Sequence, residues 1–153
     1  MSATSMETPP DWFWDVLQST SPSLKALEAW LVNVPKERVE QFASAYELAA
    51  QSLCDYWNGP IVDGVQYSED DTEDVCNWIV SQGPGLWQRV FTGELDLERV
   101  AKIIFNGHFH LLPEPVIEWS EDVADPAHDG YQDPALIAAG VFYSRFGELY
   151  GGN

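Results

Sequence analysis

Apolar residues recur along this chain at three- and four-residue spacing in separate runs, the period of helices that bury one face. Trp12, Phe13, Trp14, Val16 and Leu17 follow Pro9-Pro10-Asp11 and predict a short first helix, broken between Ser19 and Pro22. Leu24, Leu27, Leu31 and Val34 form the stripe of a second. Pro35 stands where a third would begin, because proline fits the first helical turn. That third helix has the clearest face, Val39, Phe42, Tyr46, Ala49, Leu53 and Trp57, and Asn58-Gly59-Pro60 stops it.

The pattern then changes. Ile61-Val62 and Val65-Gln66-Tyr67 flank Asp63-Gly64, a short turn or tiny hairpin. Ser68 is a good N-cap for a helix whose buried face is Val75, Trp78 and Ile79 and which Gly83-Pro84-Gly85 ends. Leu97, Val100, Ala101, Ile104 and Phe105 make another helical stripe. Asn106-Gly107 either caps that helix or turns a hairpin between Ile103-Ile104-Phe105 and His108-Phe109-His110, and the longer period favours the helix. Residues 113–134 are irregular and acidic. Pro134 opens a last helix with Leu136, Ile137, Gly140, Tyr143, Phe146 and Tyr150 inward, closed by Gly151-Gly152. The expected fold is mainly α, a compact single-domain bundle of about six helices with a place for a small β-hairpin. Residues 1–10 read as a flexible lead and 11–153 as one domain.

Composition agrees with a packed core. The 153 residues are 45% hydrophobic and 13% aromatic, which argues against disorder. Charge adds more: 7 Lys+Arg stand against 25 Asp+Glu, a formal net charge of −18. Such a field repels phosphate backbones and disfavours direct nucleic-acid binding. Met1 to Pro10 hold neither a basic residue nor an apolar run, and no stretch approaches the roughly 18 apolar residues of a membrane span, so the expectation is a cytoplasmic protein without membrane contact. Cys54 and Cys76 read as reduced thiols packed as small hydrophobes.

Glu69, Asp70, Asp71, Glu73 and Asp74 place five carboxylates within six residues at the first turn of a predicted helix. Acids there complement the helix dipole, which is reason enough for some of them. Residues 39–88, however, hold nine Asp/Glu and no Lys or Arg. The block Ser68-Glu69-Asp70-Asp71-Thr72-Glu73-Asp74-Val75-Cys76-Asn77-Trp78-Ile79-Val80-Ser81-Gln82-Gly83 resembles the signature of the bacterial domain-of-unknown-function family DUF 4240. In that family a Ser-Asp-Asp opening leads through two phenylalanines and an arginine to Trp-Leu-Ile and a nearby Gly. Phe13-Trp14, Val34-Pro35-Lys36-Glu37 before Phe42, and Leu95-Asp96-Leu97 are similar as well, so the likeness covers about residues 11–100, with 106–153 as a C-terminal extension. Glu69 replaces the family's Asp, Thr72 and Val75 replace aromatics, and Cys76 replaces the arginine. The resemblance implies an α-helical fold and a bacterial origin, without an activity.

Other chemistry is sparse. No nucleophile elbow, phosphate loop, dinucleotide fingerprint or zinc-finger spacing occurs, and nothing calls for a cofactor. On an extended segment His108 and His110 would share a face and Glu114 would close three metal ligands, with His128 as a further candidate. Their order is similar to the metal motif of the cupins, without its strand-rich context. Asp125, Asp129, Gly130 and Asp133 match part of an EF-hand loop, but Ala127 and Leu136 fall on two of its carboxylate positions. The reading that absorbs the charge is an interaction module of inhibitor or immunity type. Its anionic face, Glu69, Asp70, Asp71, Glu73 and Asp74, engages a basic protein partner, with Trp57 or Trp78 as an aromatic anchor if exposed. Both tryptophans are expected to be mostly core. The alternative is a metal-binding protein or metal-dependent enzyme built on His108, His110 and Glu114.

Overall fold

Seven α-helices, two 3₁₀ turns and one two-stranded hairpin form within residues 8–119 and 134–147, the part of the chain that the computed structural model describes. In chain order these are α1 (Asp11–Thr20), α2 (Leu24–Asn33), α3 (Lys36–Gln51), a 3₁₀ turn (Tyr56–Asn58), β1 (Ile61–Val62), β2 (Val65–Gln66), α4 (Glu69–Ser81), α5 (Pro84–Phe91), α6 (Leu97–Asn106), a second 3₁₀ turn (Phe109–Leu111) and α7 (Pro134–Phe146). The architecture is mainly helical with a small antiparallel hairpin, as the apolar spacing predicts. Among the described residues no helix is long and apolar enough to cross a membrane.

α3 is the central element. Val39, Phe42 and Ala49 are fully buried and Tyr46 nearly so, because their spacing lines one face of the helix, while Ala43, Ala45 and Ala50 let neighbours approach closely. α4 and α7 both pack against α3, and α1 and α2 close the remaining side. Phe13 of α1 sits 5.1 Å from the Phe42 ring and meets Tyr46 edge-on at 5.9 Å. Trp87 of α5 stacks on Phe91 at 4.7 Å, and its indole N–H donates to the Ala49 carbonyl at 2.8 Å, so the polar tip of a buried ring is satisfied.

Several boundaries differ from the expectation, each for a local reason. α3 stops at Gln51 and does not run on to Trp57. Asp55 accepts from the Trp57 backbone N–H at 3.1 Å and from the Asn58 side chain at 2.8 Å, a competing local pattern that folds the 3₁₀ turn. α5 was not foreseen. Gly83, at φ 99°, does end α4, yet Pro84 immediately starts a new helix at the position where its missing N–H costs nothing. Asn106-Gly107 caps α6, with Gly107 left-handed at φ 71°, and forms no hairpin. Within α6, Ile103 is buried and Phe105 is exposed.

The inward face of the last helix differs in part from the sequence reading, which holds at Ile137. Ile137, Ala138, Val141 and Phe142 are buried, whereas Leu136, Gly140 and Tyr143 point outward. Phe146 is half-buried against the core, as expected. Nearly every residue from Pro134 to Tyr143 is apolar, so hydropathy carries no phase there, and packing against α2 and α3 chooses the inward side. The expected Tyr150 contact and the Gly151-Gly152 stop lie outside the described residues.

The segment after α6 is irregular but fastened. The side chain of Gln82 donates to the Ile117 carbonyl at 3.0 Å and accepts from the Ile117 N–H at 2.7 Å, imitating a strand partner. Trp119 adds an indole N–H to the Ser81 carbonyl at 2.9 Å. These bonds lay residues 117–119 across the C-terminal end of α4.

Candidate functional site

The acidic face is built by the start of α4. Ser68 accepts from the Asp71 N–H at 3.1 Å as N-cap, and the fully buried Thr72 returns its hydroxyl to the Ser68 carbonyl at 2.7 Å. With Thr72, Val75, Cys76 and Ile79 turned inward, helical geometry places Glu69, Asp70, Asp71, Glu73 and Asp74 outside, and all five are exposed. Among the described residues the ion pairs are Arg89 with Glu94 and Lys102 with Asp63, so none reaches this cluster.

Several basic side chains are committed elsewhere. Arg38 lies 4.4 Å over the Trp12 ring, and Lys36 sits above Phe142 and Phe146. Arg145 donates to the carbonyls of Leu31 (2.7 Å) and Val34. The charges left on α4 therefore act on one another. The Glu73 carboxyl is held above the ordinary 4.5 by burial and then by Asp74, Asp70, Glu69 and Glu47. Burial, Asp71 and Asp70 raise that of Asp74.

Glu47 enters this group only through the fold. It stands on α3, 26 residues before Glu73, and the α3–α4 packing brings the two to opposite walls of one cleft. That cleft has a volume of about 210 Å³ and is lined by Ala43, Tyr46 and Glu47 of α3, Tyr56 of the 3₁₀ turn, Glu73 and Asn77 of α4, and Ala135, Leu136, Ala138 and Ala139 of α7. Its inner surface is apolar, since Ala43, Tyr46 and Ala138 are buried, and its two carboxylates are exposed. The Tyr46 hydroxyl donates to the Asn77 carbonyl at 2.8 Å. The Tyr56 phenol is pushed up by burial, then by Cys76, Glu73, Glu47 and Cys54, and stays neutral.

The tryptophans separate. Trp57 is 77% exposed on the 3₁₀ turn that packs against α4, contrary to the expectation that it is core. Losing the last turn of α3 is what releases it. Trp78 is half-buried, with its ring 5.8 Å from that of Phe109.

The alternative metal centre is not assembled. Among the described residues no group of three His, Cys, Asp or Glu is placed to hold an ion. His108 and His110 are exposed on either side of the second 3₁₀ turn's first residue, not on an extended strand. Glu114 is drawn elsewhere: a methyl group added at Gly85 would lie 2.7 Å from both of its carboxylate oxygens, which places that carboxylate at the first turn of α5. His128 and the partial EF-hand at Asp125, Asp129, Gly130 and Asp133 lie outside the described residues. Both cysteines are free thiols; Cys76 is fully buried and Cys54 half-buried. Cys76 brings no positive charge under the acidic turn.

Comparisons with protein-family models, with curated proteins and with solved structures find no match.

Proposed function

We propose that this protein is an interaction module of inhibitor or immunity type that binds a basic protein partner through the face carrying Glu69, Asp70, Asp71, Glu73 and Asp74. The observation that carries the reading is the exposed Trp57 on a turn packed against α4, the helix that carries these unpaired carboxylates. Tryptophan is among the residues enriched at binding hot spots, and opposite charge speeds encounter to as much as ~10⁸–10⁹ M⁻¹s⁻¹ at low salt. The alternative explanation, that acids only complement the α4 dipole, accounts for Glu69, Asp70 and Asp71 in the first turn. It does not account for Glu73, Asp74 and Glu47, where the dipole has fallen off. The resemblance of the α4 block to DUF 4240 supports membership of that family and a bacterial setting.

The test is affinity capture from a bacterial lysate at low and high ionic strength, followed by binding of the purified recovered protein. A basic protein should be retained at low salt and released as salt screens the contact. It should not be retained by a variant with Glu69, Glu73→Gln and Asp70, Asp71, Asp74→Asn. Trp57→Ala should weaken the purified complex by about 2 kcal/mol or more. Recovery of no basic protein, or equal recovery by the neutralised variant, sinks the reading.

A further inference from the structure

We propose that the cleft between α3, α4 and α7 is a binding site for one organic cation on a short apolar stem, an alkylguanidinium or alkylammonium group. This is the chemistry of an arginine or lysine side chain and equally of a small free amine. The proposal deepens the reading above and rests on it for the claim that a protein partner carries the cation.

Four observations meet at this cleft. Its volume, about 210 Å³, exceeds the roughly 150 Å³ of a cavity that holds benzene and suits a single stem with its head group. Its carboxylates come from two different helices, Glu47 on α3 and Glu73 on α4, and no Lys or Arg is among its lining residues. Ala135 and Ala139 of α7, neither of them buried, offer apolar surface to methylenes over a floor of Ala43, Tyr46 and Ala138, as long basic side chains require when they bury their stems. The Asn77 side chain, half-buried in the lining, has no hydrogen bond to the described residues and is free to bond a ligand N–H. A bound cation would also relieve the carboxylate repulsion that, after burial, raises the Glu73 carboxyl.

The open groove along α1 and α3, about 670 Å³ and lined by Trp12, Arg38 and Glu40 among others, is less selective. Arg38 already covers its Trp12 ring, and with Glu37 and Glu40 beside that cation the lining is of mixed charge and names no occupant. The two thiols point to nothing further.

The experiment is an NMR titration of the full chain with n-butylguanidinium, with its neutral isostere n-butylurea, and with a blocked arginine residue in a short neutral peptide. Butylguanidinium or the peptide should shift the signals of Ala43, Asn77 and Ala139, butylurea should not, and Glu47→Gln should bind the cation about tenfold more weakly, the loss expected for one charge-assisted hydrogen bond. Asp15→Asn, an exposed carboxylate on α1 outside both the cleft and the acidic face, should bind within about twofold of the parent. Binding of the free cation assigns the site to small amines as well; binding of the peptide alone assigns it to a presented side chain. Absence of localised shifts with both, equal binding of butylurea, or an unchanged Glu47→Gln overturns the cleft assignment. Because Glu47→Gln leaves all five α4 carboxylates in place, capture of a basic partner would survive that failure if the interaction reading holds.

Discussion

Gly59 and the two cysteines make the residue scale concrete. A methyl group at Gly59 would lie 2.9 Å from the Tyr67 carbonyl oxygen and closer still to the Thr72 hydroxyl, which is tied to Ser68. Gly59→Ala should therefore destabilise the fold by about 1–3 kcal/mol, the range for overpacking, as read from chemical denaturation. Burial pushes the Cys76 thiol up to about 12, with Cys54 and Glu73 adding to it, and burial and Asp55 raise that of Cys54. Thiolate, not thiol, is the reactive form. At pH about 8, a thiol reagent should modify Cys54 slowly and leave Cys76 untouched until denaturant is added. Rapid labelling of both in the native protein would contradict the packing. That the cysteines are core-like thiols was legible from their number and isolation. The exposure of Trp57 was not, because its apolar character fits the α3 stripe, whereas α3 ends at Gln51 and the Asp55 hydrogen bonds hold Trp57 in a separate 3₁₀ turn.

Among elements, the C-terminal end of α4 has the most specific requirement. Gln82 is 9% exposed and makes a two-way amide pair with Ile117, so Gln82→Ala leaves a backbone N–H and carbonyl without their partner. The expected cost is about 1–3 kcal/mol, with faster hydrogen exchange at Ile117 as the local sign. A loss of stability without that local change would mean that the strap is held by other contacts. Most elements were readable from periodicity: α1, α2, α4 and α6 each keep polar residues on one side, which gives hydropathy a phase. α5 and α7 show the two ways this fails. Gly83-Pro84 reads as a stop, yet a glycine at positive φ followed by proline at the first helical position both ends one helix and begins the next. α7 is apolar almost all round, so its existence was legible and its face was not.

For the whole molecule the surplus of carboxylates sets the response to pH and salt. Folding raises the carboxyls of Glu73 from 4.5 and Asp74 from 3.8. The folded state thus binds protons more tightly than the unfolded chain, and each group costs stability when both states are ionised. That cost is fully present at neutral pH, is relieved as pH falls through the raised folded values, and no longer changes below the ordinary ones. The melting temperature should rise as pH falls from neutrality toward the ordinary carboxylate range and, at pH 7, with added salt. A variant with Glu73→Gln and Asp74→Asn should show a flatter rise; an unaltered pH profile in that variant would place the repulsion elsewhere. The sequence by itself determined the helical class, most helix positions, the charge of −18 and the acidic turn, because each follows from local periodicity, capping or a count of ionisable groups. Only the tertiary structure decided that Glu47 joins Glu73 across a cleft, that Trp57 is exposed on a turn packed against α4, and that Glu114 is drawn to the start of α5. Those outcomes depend on how α3, α4, α5 and α7 pack, and packing between distant segments is set by shape and closure, which no local pattern of residues encodes.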